Sequence, residues 1–281
     1  MISYEGRLPE ADRAKRDSAR GRVRLRTVAL PTEHGGWSFT LEPVLLGLLV
    51  APSLAGLFIG LAATGAFLAR HPFKIVAGDR RRGRRFPRTP YAEAFFLLYG
   101  ALALAFALAT AATAISYAFL LPLLVAAPFV VVQLFFDATG RSRALAPELA
   151  GSAGLAAVSA SIALADGWPI VPALALWALL AGRAVPSILY VRARLRRLHG
   201  ETPPTLHVFV THAAALALVC LLAWLKLAPP LAALAFLVLL LRAFTGLSAP
   251  RDKGSAKQVG ITEIVYGALT VFAVAFGHLP G

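Results

Sequence analysis

The sequence predicts an all-α, polytopic transmembrane bundle of about nine helices, and three observations carry that expectation. Hydrophobic residues make up 58% of the 281-residue chain and charged residues only 15%, with a mean hydropathy of +0.70, whereas a soluble domain carries about a quarter charged residues. Apolar runs long enough to cross the hydrocarbon core, about 20 residues each, recur between short breaks. Of the 28 Lys and Arg residues, 26 fall in one alternating set of breaks and in the N-terminal segment, an asymmetry that orients membrane proteins. An ordinary cytosolic enzyme and a disordered chain are thereby excluded. The formal net charge of +14 follows from topology, so no nucleic-acid partner is expected. The single cysteine, Cys220, excludes an intramolecular disulfide and any CxxC metal site.

In chain order, residues 1–28 read as a basic cytoplasmic tail, disordered and resting on anionic lipid head groups or serving only to fix topology. They lack the apolar segment and cleavage site of a signal peptide. Residues 29–281 then form one transmembrane helical domain. Its spans are expected at about 34–51, 53–70, 91–112, 115–136, 147–165, 169–191, 205–225, 229–244 and 260–277. The eighth is short and the first contains charge, so eight or nine spans are expected. Helices are required because lipid offers no partner for open backbone groups, and the alternating ten-residue segments of a β-barrel are absent. The small residues Gly47, Gly56, Gly60 and Gly65, and later Gly151 and Gly154, suit close helix packing. The basic connections at 71–90, 137–146, 192–204 and 245–259 place the N-terminus in the cytoplasm and, with nine spans, the C-terminus on the far side of a bacterial inner membrane.

Charges within the spans default to functional candidates, because burying one at the bilayer centre costs at least about 2.5–3.5 kcal/mol. The first span opens Glu33-His34-Gly-Gly-Trp37-Ser38 and reaches Glu42, about 12 Å deeper than His34 at 1.5 Å per residue. Pro43 is expected to kink it. Glu33 and His34 also suit the positive end of a helix. In the sixth span Arg183, Ser187, Tyr190 and Arg194 form one polar stripe. Arg183 is expected either to pair with Glu42 inside the membrane or to grip an anionic ligand, as guanidinium groups grip phosphate. Arg70, His71, Glu148, Arg192, Glu263 and Tyr266 sit at cytoplasmic ends of other spans. The polar groups thus converge on a cytoplasm-facing cavity. No metal site is expected: His207 and His212 are five apart, and no HExxH or DxxxD run occurs.

Four stretches carry a resemblance: Glu33-His-Gly-Gly-Trp-Ser, Arg70-His-Pro, Pro186-Ser-Ile-Leu-Tyr-Val-Arg-Ala-Arg-Leu and Glu263-Ile-Val-Tyr-Gly. They are similar to the YwiC-like family of bacterial integral membrane proteins, over about residues 29 to 277. The helix count and the functional loops after helices two and six also resemble UbiA-type prenyltransferases. That second resemblance implies Asp-rich motifs holding Mg²⁺ against a polyprenyl diphosphate. Here those positions read Arg70-His71-Pro72 with Asp79-Arg80, and Tyr190-Val-Arg192-Ala-Arg194. The replacement of acids by arginines argues against Mg²⁺, and the cofactor is left open.

The expected function is therefore binding or transfer of an isoprenoid (di)phosphate, a quinone precursor or another anionic lipid. His34, His71 and Glu42 are the catalytic candidates. The expected ligand contacts are Glu33, Trp37, Arg70, Arg183, Ser187, Tyr190, Arg192, Arg194, Glu148, Glu263 and Tyr266. A transporter or lipid-handling protein, and a non-catalytic assembly partner of another membrane complex, are the alternatives.

Overall fold

A chain in hydrocarbon must close its own backbone hydrogen bonds, and the described residues are built of helices, with no strand among them. The computed structural model describes residues 23–31, 34–248 and 254–278, without the side chain of His34. Most of the tail expected over 1–28 lies outside the described residues. Its end forms a short helix α1 (Leu25–Ala29), which buries Val28 and Ala29. Then follow α2 (His34–Val50), α3 (Leu54–Arg81), α4 (Thr89–Thr113), a 3₁₀ turn at Tyr117–Phe119, α5 (Leu120–Ala138), α6 (Leu145–Ala165), α7 (Ile170–Leu198), α8 (Leu206–Trp224), α9 (Pro230–Ser248) and α10 (Ala256–Phe276). Eight helices, α3 to α10, are long and apolar enough to cross a membrane, and α2 adds a shorter apolar helix over 36–50. The chain is a multi-pass membrane protein.

Two helices outrun the spans read from hydropathy. α3 continues past Arg70 through Pro72 to Arg81, and α7 continues past Val191 to Leu198. Apolarity marks only the part of a helix inside hydrocarbon, and these ends project beyond it. Pro43 also lies inside a continuous helix, α2. Local signals set several starts: Ser53 accepts from the Gly56 N–H at α3, and Ser255 with Gln258 forms a capping box at α10.

α6 is the hub of the bundle, packed on α2, α3, α5 and α7. Its sequence explains this place, because Ala, Gly and Ser dominate it and let neighbouring backbones approach. Gly47 on α2 and Gly56 on α3 both face its Ile162, where an added Cβ would stand 2.8 Å and 2.7 Å from that side chain. Around this hub α7 meets α8, α8 pairs with α9, and α10 returns against α2. On the other side α4 lies along α3, and α5 lies along α6.

Candidate functional site: a deep cavity with a basic rim

Between α3, α4, α5, α6 and α7 lies a cavity of about 1030 Å³. Its rim, on the side where the basic connections lie, carries Arg70, Gln133, Arg143, Glu148, Arg192 and Arg196. Below the rim the walls turn apolar, with Ile59 and Ala63 of α3, Ala107 of α4, Phe119 and Leu123 at the far end, and Val158 of α6. Eleven residues of α3 separate Arg70 from Ile59, a depth of roughly 16 Å at about 1.5 Å per residue.

The rim is held open by ion pairs. Arg70 makes a two-pronged contact to the buried Asp137, 2.6 Å from Nε to Oδ2 and 3.0 Å from Nη2 to Oδ1, tying α3 to α5. Arg192 donates to Glu148 at 2.8 Å and to the Arg143 carbonyl at 3.1 Å, joining α7 to α6. Arg143 itself is exposed and has no carboxylate partner among the described residues. Outside the rim, Arg88 and Thr89 both donate to the buried Asp79 and so fold back the connection before α4. Hydrogen bonding to that carboxylate raises the Arg88 pKa. Asp79, the acid at the first loop position, is thereby fully engaged.

At mid-depth the wall contains a second charged layer. Arg183 donates to Glu42 at 2.7 Å and to the Glu263 carbonyl at 3.0 Å, while Ser38 donates to the other Glu42 oxygen. The pair expected between Glu42 and Arg183 therefore forms, and α10 makes room for it. A Cβ on Gly267 would collide with Glu42 Oε1 and come within 2.7 Å of its carboxyl carbon. The layer continues outward as Arg242 donates to the Glu263 side chain. The Arg242 guanidinium lies 4.1 Å from the Tyr190 ring centre and 4.9 Å from that of Tyr266. Its Nη2 stands 3.4 Å from His212 Nε2, and His212 Nδ1 donates to the Val208 carbonyl at 2.8 Å. Two arginines and two glutamates thus compensate one another across α2, α7, α9 and α10, as ions in hydrocarbon must. Arg183 Nε, Ser187 Oγ, Arg242 Nε and Glu263 Oε2 are buried without a hydrogen-bond partner among the described residues. Arg183 and Glu263 also line the cavity.

The structure divides the predicted site residues. Arg70, Glu148, Arg183, Arg192 and Glu263 come together on the cavity. Glu42 stands behind that wall, engaged by Arg183 and Ser38. Trp37 packs edge-on against Phe67, a wall residue, with ring centres 5.2 Å apart. His71 is turned away, its Nε2 3.0 Å from the Thr27 carbonyl, where it ties α1 to α3. Glu33 and the side chain of His34 lie outside the described residues.

The stripe Arg183–Ser187–Tyr190–Arg194 does not stay with the cavity beyond Arg183. Tyr190 reaches over Gly246, whose missing Cβ admits its hydroxyl, and Arg194 donates to the Gly246 carbonyl at 2.8 Å. That face of α7 packs on α8 and α9. The cavity face at this level is Ile188, Val191, Arg192, Leu195 and Arg196. Tyr266 belongs to the Arg242 layer rather than to the cavity.

Gln133, Arg143, Arg196 and Arg242 escaped the sequence analysis as site members, the three arginines because they were counted only as topology charges. Arg242 carried the same signal as Arg183, a lone charge with Leu239–Leu241 before it and Ala243–Phe244 after it. Among the described residues no three His, Cys, Asp or Glu side chains gather to hold a metal ion.

Residues 30–163 match the family described as YwiC-like protein. The matched stretch runs from just before α2 nearly to the end of α6 and includes Glu42, Arg70, Asp137 and Glu148. The Tyr190-Val-Arg-Ala-Arg and Glu263-Ile-Val-Tyr-Gly stretches, where the resemblance was also read, lie beyond it. No curated protein and no solved structure matches the chain.

Proposed function

We propose that this protein binds an anionic amphiphile, an isoprenoid (di)phosphate or another acidic lipid, with its head at the basic rim and its chain in the apolar depth. The observation that supports this best is one continuous cavity of about 1030 Å³ with arginines at one end and hydrocarbon walls at the other. Pockets for small ligands span about 300–1,000 Å³, so this one is lipid-sized. Guanidinium groups grip phosphate and carboxylate oxygens in a fork. Arg143 is free to do so, and Arg192 is only loosely committed, because an exposed ion pair such as Arg192–Glu148 is worth about 0–1 kcal/mol. The rim lies on the side of the basic connections at 71–90, 137–146 and 192–204, so the head group faces the cytoplasm, with the N-terminus on the same side.

Lipid handling is favoured here over group transfer. A UbiA-type transferase would need acids at the two loop positions. The one at the first, Asp79, is committed to Arg88 and Thr89, and Arg192 and Arg194 stand at the second. No described histidine side chain lines the cavity, so the catalytic role expected of His71 has no geometric support.

The test is native mass spectrometry of the full chain released from detergent, with extraction of bound lipid. The parent is expected to retain anionic prenyl or alkyl phosphate, and the double variant Arg143→Ala, Arg192→Ala to lose it by about tenfold or more, as two charge-assisted contacts are removed. A parent that ignores added prenyl and alkyl phosphates overturns the proposal.

A further inference from the structure

We infer that the hydrocarbon chain of the bound lipid enters and leaves the cavity sideways, through a slit between α4 and α5 that opens directly to the bilayer. The inference rests on the binding function proposed above and adds the route and the consequence for chain length.

Consecutive antiparallel helices joined by a short turn normally pack on each other. Here α4 leans on α3 and α5 on α6, and the two make no substantial contact with one another. Their connection is fastened at the far end. The Ile115 N–H donates to the Ala165 carbonyl at 2.9 Å, and the 3₁₀ turn buries Phe119 against the hub. From that fixed point each helix follows its own neighbour, α4 along α3 and α5 along α6. At the rim, Arg70 and Arg81 hold α5 to α3 through Asp137 and the Ala138 carbonyl, so neither bond bridges α4 to α5.

The side chains between α4 and α5 carry the second observation. Leu104 on α4 and Val130 and Leu134 on α5 line the cavity, yet they are 62%, 45% and 39% exposed. A side chain that is at once cavity wall and outer surface marks an opening. These surroundings are apolar over the length of α4 and α5, whose outer faces carry Leu97, Leu108, Leu124 and Val131. In a multi-pass bundle such faces meet lipid tails, so the occupant of the slit is a hydrocarbon chain. An open side also means that the cavity depth does not limit chain length, because the excess chain passes out between the helices into the bilayer.

Chain-length selectivity tests this. The full chain is placed in phosphatidylcholine nanodiscs containing decyl and docosyl phosphate at equal mole fraction, and the bound phosphates are read by native mass spectrometry. The parent is expected to hold both within about twofold. Ala107→Trp on α4, or Val130→Trp on α5 should the first variant not stay monodisperse, narrows the slit. Either is expected to shift the ratio at least about fivefold toward decyl phosphate, through lost burial of chain methylenes. Leu98→Trp, on the outer face of α4 and 51% exposed, leaves the ratio unchanged. A parent that rejects docosyl phosphate by about tenfold, or Trp variants that bind both lipids in the parent ratio, overturns the slit while leaving the cavity as a binding site. Binding of neither phosphate by the parent overturns the proposed function itself.

Discussion

The two halves of the bundle solve the membrane problem differently. Around α6 and α7 the helices are buried, rich in small residues and cross-linked by charge. Gly47 and Gly56 close on Ile162, and Gly267 closes on the Glu42–Arg183 pair. Along α4 and α5 the helices carry large apolar side chains, face outward, and touch mainly one neighbour each. In lipid the hydrophobic effect does not drive helices together, because tails are as apolar as Leu; close backbone approach and polar bonds do. The half cross-linked within itself is therefore rigid, whereas α4 and α5 are each fastened to a neighbour, α5 to α3 through Arg70–Asp137, but not to one another, and are free to part. The cavity lies on the boundary between the two.

The largest expected effect comes from breaking the charged layer. Arg183→Ala removes the guanidinium but leaves Glu42 buried at 6% exposure, and stranding one partner of a buried pair costs about 3–5 kcal/mol. The variant is expected to lose most of its monodisperse folded fraction after extraction, and to unfold earlier in a denaturing-detergent titration. Replacing both members, Glu42→Leu with Arg183→Met, is expected to restore most of that stability, since apolar pairs of similar volume are often neutral. If Arg183→Ala folds like the parent, the rigid half does not depend on its charges and the contrast collapses.

Next is Gly267→Ala, which tests the same layer through one methyl group. Overpacking of this kind costs about 1–3 kcal/mol. The same titration should show a loss between that of Arg183→Ala and the parent. Gly154→Ala offers the control within the same half, because its added Cβ would meet Phe129 only at an ordinary 3.5 Å.

How much of this was legible in sequence follows from what hydropathy and periodicity encode. Glu42 and Arg183 stood out because each is a lone charge in an apolar run, and two such opposite charges need one another. Arg242 sent the same signal but stood near a span end, where a charge is ordinary. Periodicity placed Ser187, Tyr190 and Arg194 on one face of α7 correctly. It did not say which neighbour that face meets, and the absent Cβ of Gly246 on a distant helix decided it. Hydropathy found α4 and α5 as spans, but whether two spans touch or splay depends on which partner each prefers, and an apolar helix surface records no such choice.

The smallest expected effect lies on the open side and sharpens the contrast most. Leu97 and Leu108 on α4 are 69% and 64% exposed, so in a bilayer their contacts are to lipid tails in the folded protein. Trimming either to Ala exchanges side-chain contact for lipid contact, and a surface substitution of this kind changes stability by no more than about 0.5 kcal/mol. Both variants are expected to match the parent in the denaturing-detergent titration. The same truncation at Leu46 of α2 or Leu176 of α7, each fully buried, leaves a hole worth about 2–5 kcal/mol. A marked loss at Leu97 or Leu108 would mean that α4 has a protein neighbour on its outer face. The slit between α4 and α5 would then open onto that neighbour instead of the bilayer.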